Sequence, residues 1–421
     1  MEFRFGRKAI ALEEAQRIVL SLVRKQEEEQ VSLPEAFGRR LARDVAADTP
    51  VPHFRRSGVD GFAVRASDCA AASPIRPATL TVVETLSAGM VPQRRLERGQ
   101  AARIMTGGVV PDGADAVVML EMTDRLEQTS ELPYHVQICK SMEAGENVTP
   151  IGHEAQRGEL LLRKGRRIGP GETAILAAFG HAVVPVFRRP RVAIFSTGSE
   201  LLPVEVPLTE GKIRCSNSFM LAAQVMEAGG EPIMSPILPD DVREVELRLR
   251  AALESADAVV TTGGVSVGDK DVLVELFERW DGEVLFNKIK MRPGSPTSLG
   301  IWRGKPLFAL SGNPGACYVG FELLMRPYLR AAMGSDAPLP DEATAILETD
   351  YRKGSAYPRY IRGTTRVEDG KLKVRPAGRD KSSIMVSIKD ADCLICLPAG
   401  GTGAAQGELV RIMKLNCEGK E

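Results

Sequence analysis

Asp257-Ala-Val-Val-Thr-Thr-Gly-Gly-Val-Ser-Val-Gly-Asp-Lys-Asp271 is the stretch on which the reading of this chain turns. Ala258, Val259 and Val260 form a short apolar run that breaks into Thr261-Thr262-Gly263-Gly264. A run this short, bounded by a polar turn, reads as a buried strand. Two glycines let the backbone turn sharply and bring its N–H groups close to a ligand. Asp269 and Asp271 then precede residues 272–280, whose apolar spacing is helical. Polar groups thus gather at the carboxyl end of a strand, where open α/β sheets bind ligands. Taken alone, the stretch is equally a tight strand-to-helix turn with a capping aspartate.

Two further stretches repeat the pattern. Arg191-Val-Ala-Ile-Phe-Ser-Thr-Gly-Ser-Glu200 is an apolar run ending in Ser-Thr-Gly and followed by Glu200. Pro306-Leu-Phe-Ala-Leu-Ser-Gly-Asn-Pro-Gly315 is a third strand-to-glycine turn, with Pro314 suited to a helix start after Asn313. Phe286-Asn-Lys-Ile-Lys-Met-Arg-Pro-Gly294 adds Lys288, Lys290 and Arg292. Glycine turns, carboxylates and a basic cluster within one stretch suit Mg²⁺ and a phosphorylated ligand.

The totals bound the rest. A chain of 421 residues is long enough for two to four domains, and 43% hydrophobic residues supply their cores. Lys+Arg and Asp+Glu are both 55, a balance unlike that of a dedicated nucleic-acid or membrane-surface binder. No apolar run approaches the roughly 20 residues of a membrane span, and the N-terminus lacks a signal-peptide core. The expectation is a cytoplasmic protein that binds neither nucleic acid nor membrane. Seven cysteines make no disulfide framework. Cys393 and Cys396 match C-x-x-C, but strand periodicity sends them to opposite faces. His53, His135, His153 and His181 show no ligand spacing.

Along the chain, Leu12, Ala15, Val19 and Leu22 mark an amphipathic helix, and residues 34–41 a second short one. Residues 49–149 alternate strand-like runs with Gly/Pro turns. Two of those turns, around Asp60 and Thr106, are, read alone, more often plain turn chemistry than ligand contacts. Residues 171–180 read as a helix closed by glycine, in a segment (150–187) that rejoins the N-terminal helices (1–48) as one discontinuous, elongated domain. Residues 188–333 alternate strand and helix, and Pro327 should kink or break a helix over 314–333. Short strands and an Asp369-Gly370 hairpin signal follow. The expected fold is multidomain: a central three-layer α/β domain with a mainly parallel sheet (188–333), a β-rich insert (49–149), a small helical/strand N-terminal domain and a C-terminal β-barrel (334–421).

In order, VDGFAVR (59–65), RIMTGG (103–108), GADAVVMLE (113–121), GEN (145–147), STGSELL (196–202), SNSFMLAA (216–223), Asp240-Asp241, TTGGVSVGDKD (261–271), RPGSP (292–296) and SGNPGACY (311–318) resemble the MoeA/gephyrin E-domain family, the molybdopterin molybdenumtransferases. The resemblance runs from about residue 8 onward. It implies an enzyme that uses Mg²⁺ to place molybdate on adenylylated molybdopterin, releasing AMP and molybdenum cofactor. It further implies a homodimer whose sites join the α/β domain of one subunit to the β domain of the other, with the adenylyltransferase and molybdoenzyme acceptors as further partners. Matched position by position, it assigns Asp241, Asp271 and Glu200 to the metal. Asp60, Thr106, Lys288, Arg292 and Arg362 (in Tyr360-Ile-Arg-Gly363) become catalytic. Thr197, Gly198, Glu200, Thr262, Gly263, Gly264, Ser266, Gly268, Ser311, Gly312, Asn313 and Pro314 become binding residues.

The chain departs from that family's pattern at several places. Ser295 stands for a lysine, Ser311 for a proline, Arg55-Arg56 for Asp-Asn, Arg214-Cys215 for Tyr-Asp, and Glu154 for an aspartate. Positive charge is thereby redistributed, which leaves the preference between molybdate and tungstate open. Two other readings stand beside metal insertion: the preceding adenylylation of molybdopterin, against which the extra β domains weigh, and a non-catalytic dimeric scaffold, against which the retained acidic and basic residues weigh.

Overall fold

The computed structural model describes residues 8–125, 131–264 and 272–415. They form two compact units, one of residues 44–163 and 174–182, the other of the remaining chain.

In the smaller unit a six-stranded sheet is built from Gly61–Val64, Ala78–Leu86, Gln100–Ile104, Ala116–Met119, Thr123–Arg125 and Tyr134–Ile138. Phe62, Val82, Val118 and Val136 pack in a core on one face and Ala63, Ala102, Ile104 and Val117 in a core on the other, so Gly61–Val64 is buried throughout, whereas Tyr134–Ile138 alternates buried and more exposed side chains.

The larger unit is organised on a second six-stranded sheet. Glu231–Met234, Arg191–Ser196, Ala258–Thr262 and Lys305–Leu310 lie parallel in that order, and Ser298–Trp302 and Glu283–Phe286 continue it antiparallel. Ala258–Thr262 is buried along its whole length. That burial follows from helices on both faces, and it is why the strand reads as an unbroken apolar run. Val192, Ile194, Val260 and Phe308 face the helices Leu12–Ser21, Asn217–Glu227, Pro314–Gly320 and Arg326–Ala332. Ala193, Val259 and Leu307 face Val242–Ser255 and Val272–Glu278. The result is the three-layer α/β architecture.

Pro327 neither breaks nor ends its helix. A π-helical segment, Phe321–Met325, precedes it. Proline has no N–H for the carbonyl four residues back, here that of Leu323. Gln16 Nε2, from the first helix, donates to the Leu323 carbonyl at 2.9 Å instead. Beside it lies a buried ion cluster: Arg326, 3% exposed, binds Glu322, 1% exposed, and Glu227, each at 2.6 Å. Burial pulls the Arg326 pKa down, but the two carboxylates outweigh it and raise it.

Five strands close a barrel, in the order Glu342–Leu347, Lys371–Pro376, Arg359–Glu368, Cys393–Leu397 and Leu409–Lys414. Asp369 (φ 50°) and Gly370 (φ 72°) form the tight hairpin turn between two of them. Cys393 packs inside the barrel and Cys396 on the opposite side, against the α/β core, and neither forms a disulfide. The helix expected over 34–41 is only a 3₁₀ turn, Leu33–Ala36, closed by reciprocal bonds between Ser32 and Glu35. Among the described residues no helix is long and apolar enough to cross a membrane.

Candidate functional site

Three neighbouring parallel strands, Arg191–Ser196, Ala258–Thr262 and Lys305–Leu310, end side by side, and their turns make one floor. Thr197 N donates to the Thr262 carbonyl at 3.0 Å, and Gly263 N to that of Leu310 at 3.2 Å. Gly263 has a φ of 95°, and a Cβ on it would lie 2.4 Å from the Thr197 carbonyl oxygen. Glycine is needed there on both counts.

Above this floor opens a cavity of about 1170 Å³. Of the residues nominated from sequence, Thr197, Gly198, Glu200, Thr262, Gly263, Gly264, Arg292, Ser311, Gly312, Asn313 and Pro314 line it. Ser266, Gly268 and Asp271 lie outside the described residues.

The remaining nominees stand elsewhere. Lys288 is half-buried and away from the cavity lining; its carbonyl accepts from Ile10 N at 3.1 Å. Arg362 is 3% exposed behind the wall, where its Nε and Nη2 donate to Ser387 Oγ (3.3 Å) and the Lys381 carbonyl (3.2 Å). Burial lowers the Arg362 pKa. A Cβ on Gly315 would lie only 2.1 Å from its Nη1. Asp241 caps the Val242–Ser255 helix by accepting from Glu244 N at 2.8 Å, and its neighbour Asp240 lines the cavity in its place.

In the smaller unit Thr106 donates to Asp60 Oδ1 twice, from its backbone N at 2.6 Å and from its hydroxyl at 2.8 Å. These bonds hold the Asp60 carboxyl below the usual aspartate range. Arg56 and Glu154, both departures from the family pattern, pair with each other at 2.6 Å, so the extra charge of Arg56 is offset locally.

Several lining residues carry no nomination from sequence. Arg359, Asp380 and Lys381 come from the barrel, and Lys212, Arg214 and Asn217 from the chain after Glu200. Arg292 and Arg359 are bridge partners, joined through Arg292 N to the Pro358 carbonyl (2.9 Å) and Tyr360 N to that of Arg292 (2.8 Å). Asp380 accepts from the Tyr351 hydroxyl and lies 3.6 Å from Arg359. Burial and that carboxylate raise the Tyr351 pKa. Among the described residues that line the cavity, cations outnumber carboxylates: Lys212, Arg214, Arg292, Arg359 and Lys381 against Glu200, Asp240 and Asp380. An anionic ligand fits that balance. Among the described residues no three His, Cys, Asp or Glu side chains form a ready metal cage. Mg²⁺ needs none, since it binds through one or two carboxylates with ligand phosphates and water, and Glu200 and Asp240 are available.

Comparison with known proteins agrees along the whole chain. Residues 10–180 match the family description "MoeA N-terminal region (domain I and II)", 193–331 "Probable molybdopterin binding domain" and 344–415 "MoeA C-terminal region (domain IV)". A molybdopterin molybdenumtransferase of Bacillus subtilis is 42% identical over 412 residues, covering 98% of this chain and 95% of the relative. One from Staphylococcus epidermidis is 40% identical over 383 residues, covering 91% and 90%. The crystal structure of a molybdopterin biosynthesis MoeA protein from Pyrococcus horikoshii superposes with a TM-score of 0.83 at 31% identity, covering 97% of this chain and 100% of that one.

Proposed function

Because the chain belongs to the MoeA family of molybdopterin molybdenumtransferases, transferases of molybdenum cofactor biosynthesis, we propose that its cavity holds adenylylated molybdopterin while molybdate is inserted and AMP released. The observation that carries this reading is the cavity itself. Its 1170 Å³ suits a two-part ligand, and its floor of glycine turns lets backbone N–H groups approach phosphate.

The chain's own residues divide the work. The turns at Thr197-Gly198, Gly263-Gly264 and Ser311-Gly312 bind and orient the substrate. Arg292, Arg359 and Lys381 neutralise oxyanion and departing phosphate, a service worth roughly 3–4 kcal/mol for one well-placed donor. Arg362 supports the wall from behind through Ser387 and Lys381. Glu200 and Asp240, with Asp271 from the sequence pattern, would hold Mg²⁺, which neutralises charge on phosphate oxygens. No side-chain nucleophile is required. The ordered division into domains 1–48 with 150–187, 49–149, 188–333 and 334–421 is part of the same proposal.

The test is product analysis with purified protein, adenylylated molybdopterin, molybdate and Mg²⁺. AMP release dependent on both ions supports the reading; consumption of ATP with molybdopterin marks an adenylyltransferase instead, and no turnover a scaffold. The family resemblance also supports a homodimer in which Asp60 and Thr106 of one copy complete the cavity of the other. Co-expressed Asp60→Ala and Asp271→Ala chains, each inactive alone, should then regain about a quarter of wild-type activity by random pairing. Mixed dimers as inactive as their parents would exclude shared sites.

A further inference from the structure

The first turn of the helix Asn217–Glu227 meets all three strand ends. Ser218 Oγ and Ser196 Oγ lie 2.6 Å apart, which ties it to the first strand. Asn217, 8% exposed, reaches the other two. Its Nδ2 donates to Thr262 Oγ1 at 2.8 Å and to the Gly312 carbonyl at 2.9 Å. Thr262 Oγ1 donates its one proton onward to the Ser311 carbonyl at 3.0 Å, so toward Asn217 it acts as acceptor. A flipped amide would set oxygen against oxygen at Gly312. The orientation of Asn217 is therefore fixed by the network.

This matters because, among the described residues, side-chain links between these two turns come from Asn217 and from the Thr262 hydroxyl on the Ser311 carbonyl. Gly263, Gly264 and Gly312 face one another so closely that a Cβ on Gly312 would lie 3.2 Å from Gly263 Cα. The Asn217 amide thus spans the second and third turns beside the Thr262–Ser311 bond, and Asn217, Thr262 and Gly312 all line the cavity.

We infer that Asn217 is a positioning residue for metal insertion: it sets the gap between the Thr262-Gly263-Gly264 and Ser311-Gly312-Asn313 turns so that a substrate lying across both is held in reacting geometry. Asn217 acts through Thr262 and Gly312 rather than on the reacting atoms. The inference rests on the proposed substrate of this cavity.

The test compares Asn217→Asp, Thr262→Val, their double variant and Thr262→Ser with wild type, in the full-length enzyme, using adenylylated molybdopterin and molybdate well below the melting temperature. Asn217→Asp keeps the side-chain shape but turns an oxygen toward the Gly312 carbonyl. Thr262→Val removes the Asn217–Thr262 bond from the other end, together with the Thr262–Ser311 bond, and leaves Asn217 on Gly312, so the experiment survives poor folding of either variant. A misplacement near 1 Å costs on the order of a hundredfold in rate. We expect each single variant to lose kcat on that scale with KM changed less than fivefold, and the double variant to lose less than the product of the two single losses, because the two share the Asn217–Thr262 bond. Thr262→Ser, which keeps the hydroxyl, should recover most of what Thr262→Val loses. If the variants melt earlier but turn over at the wild-type kcat per folded molecule, or if their losses multiply in the double variant, Asn217 is a structural residue and the inference fails. Absence of insertion by wild type would instead overturn the function on which the inference stands.

Discussion

Replacing Gly263 with alanine places one methyl group where the structure has no room for it. Two costs combine. At a φ of 95° an L-residue is strained, by about 1–2 kcal/mol on the scale of left-handed backbone. The new Cβ would also lie 2.4 Å from the Thr197 carbonyl oxygen and 2.9 Å from its hydroxyl. The carbonyl is backbone and belongs to a strand end hydrogen-bonded to Thr262, so it cannot rotate away. Overpacking of this kind costs about 1–3 kcal/mol. Gly211 is the matched control: its φ is 77° and a Cβ there meets nothing within 4 Å, so alanine adds only the backbone term. Both tryptophans of the chain, Trp280 and Trp302, pack in the same α/β core, and their fluorescence reports its unfolding. The clash alone should lower the melting temperature of Gly263→Ala by about 2–12 °C more than that of Gly211→Ala, at roughly 2–4 °C per kcal/mol. Molybdopterin binding should fall with it, because the turn must move. Equal melting temperatures for the two variants would refute the close approach of these turns.

Other parts of the molecule make separate predictions. Arg326→Met strands the Glu322 carboxylate, 1% exposed, without its partner, and should cost about 3–5 kcal/mol in urea unfolding; adding Glu322→Leu should recover most of that, and no recovery would refute the pairing. Asp60 has a folded-state pKa held down by Thr106, so its contribution to stability is present above the unfolded pKa and lost as pH falls through the folded one; NMR titration should show the Asp60 carboxyl moving up in Thr106→Val, and an unmoved value would disprove the bond. Ser295, buried in the cavity wall, donates from its hydroxyl to the Ile289 carbonyl at 2.7 Å. Ser295→Lys exchanges that bond for a cation, so its ratio of molybdate to tungstate turnover should differ from wild type; an identical ratio removes Ser295 from oxyanion selection.

The floor of the site was legible because each of its parts is local. A fully buried parallel strand reads as an apolar run, and a turn that must bring backbone to ligand reads as glycine, so Thr197-Gly198, Thr262-Gly263-Gly264 and Ser311-Gly312 could be picked out one by one. The walls were not legible. Arg359 and Lys381 reach the cavity because the barrel docks against the α/β layer, and no spacing in the chain encodes that docking. For the same reason Arg362 reads as a site residue although its guanidinium is committed to Lys381 and Ser387. Pro327 reads as a break because the rule is local, whereas the carbonyl it leaves free is satisfied by Gln16, 307 residues earlier. Asp240 and Asp241 are adjacent in sequence, and only the start of a helix decides which caps and which faces the cavity.

On the proposed function, this cavity exchanges an adenylyl group for molybdenum on one molecule of molybdopterin. A rapid-quench single turnover, with purified protein in excess over adenylylated molybdopterin and with molybdate and Mg²⁺ present, measures it directly. Molybdenum bound to the pterin and free AMP should appear together and in equal amounts, and neither should form without Mg²⁺. AMP released with no molybdenum on the pterin, or molybdenum incorporated with the adenylyl group still attached, would contradict the account.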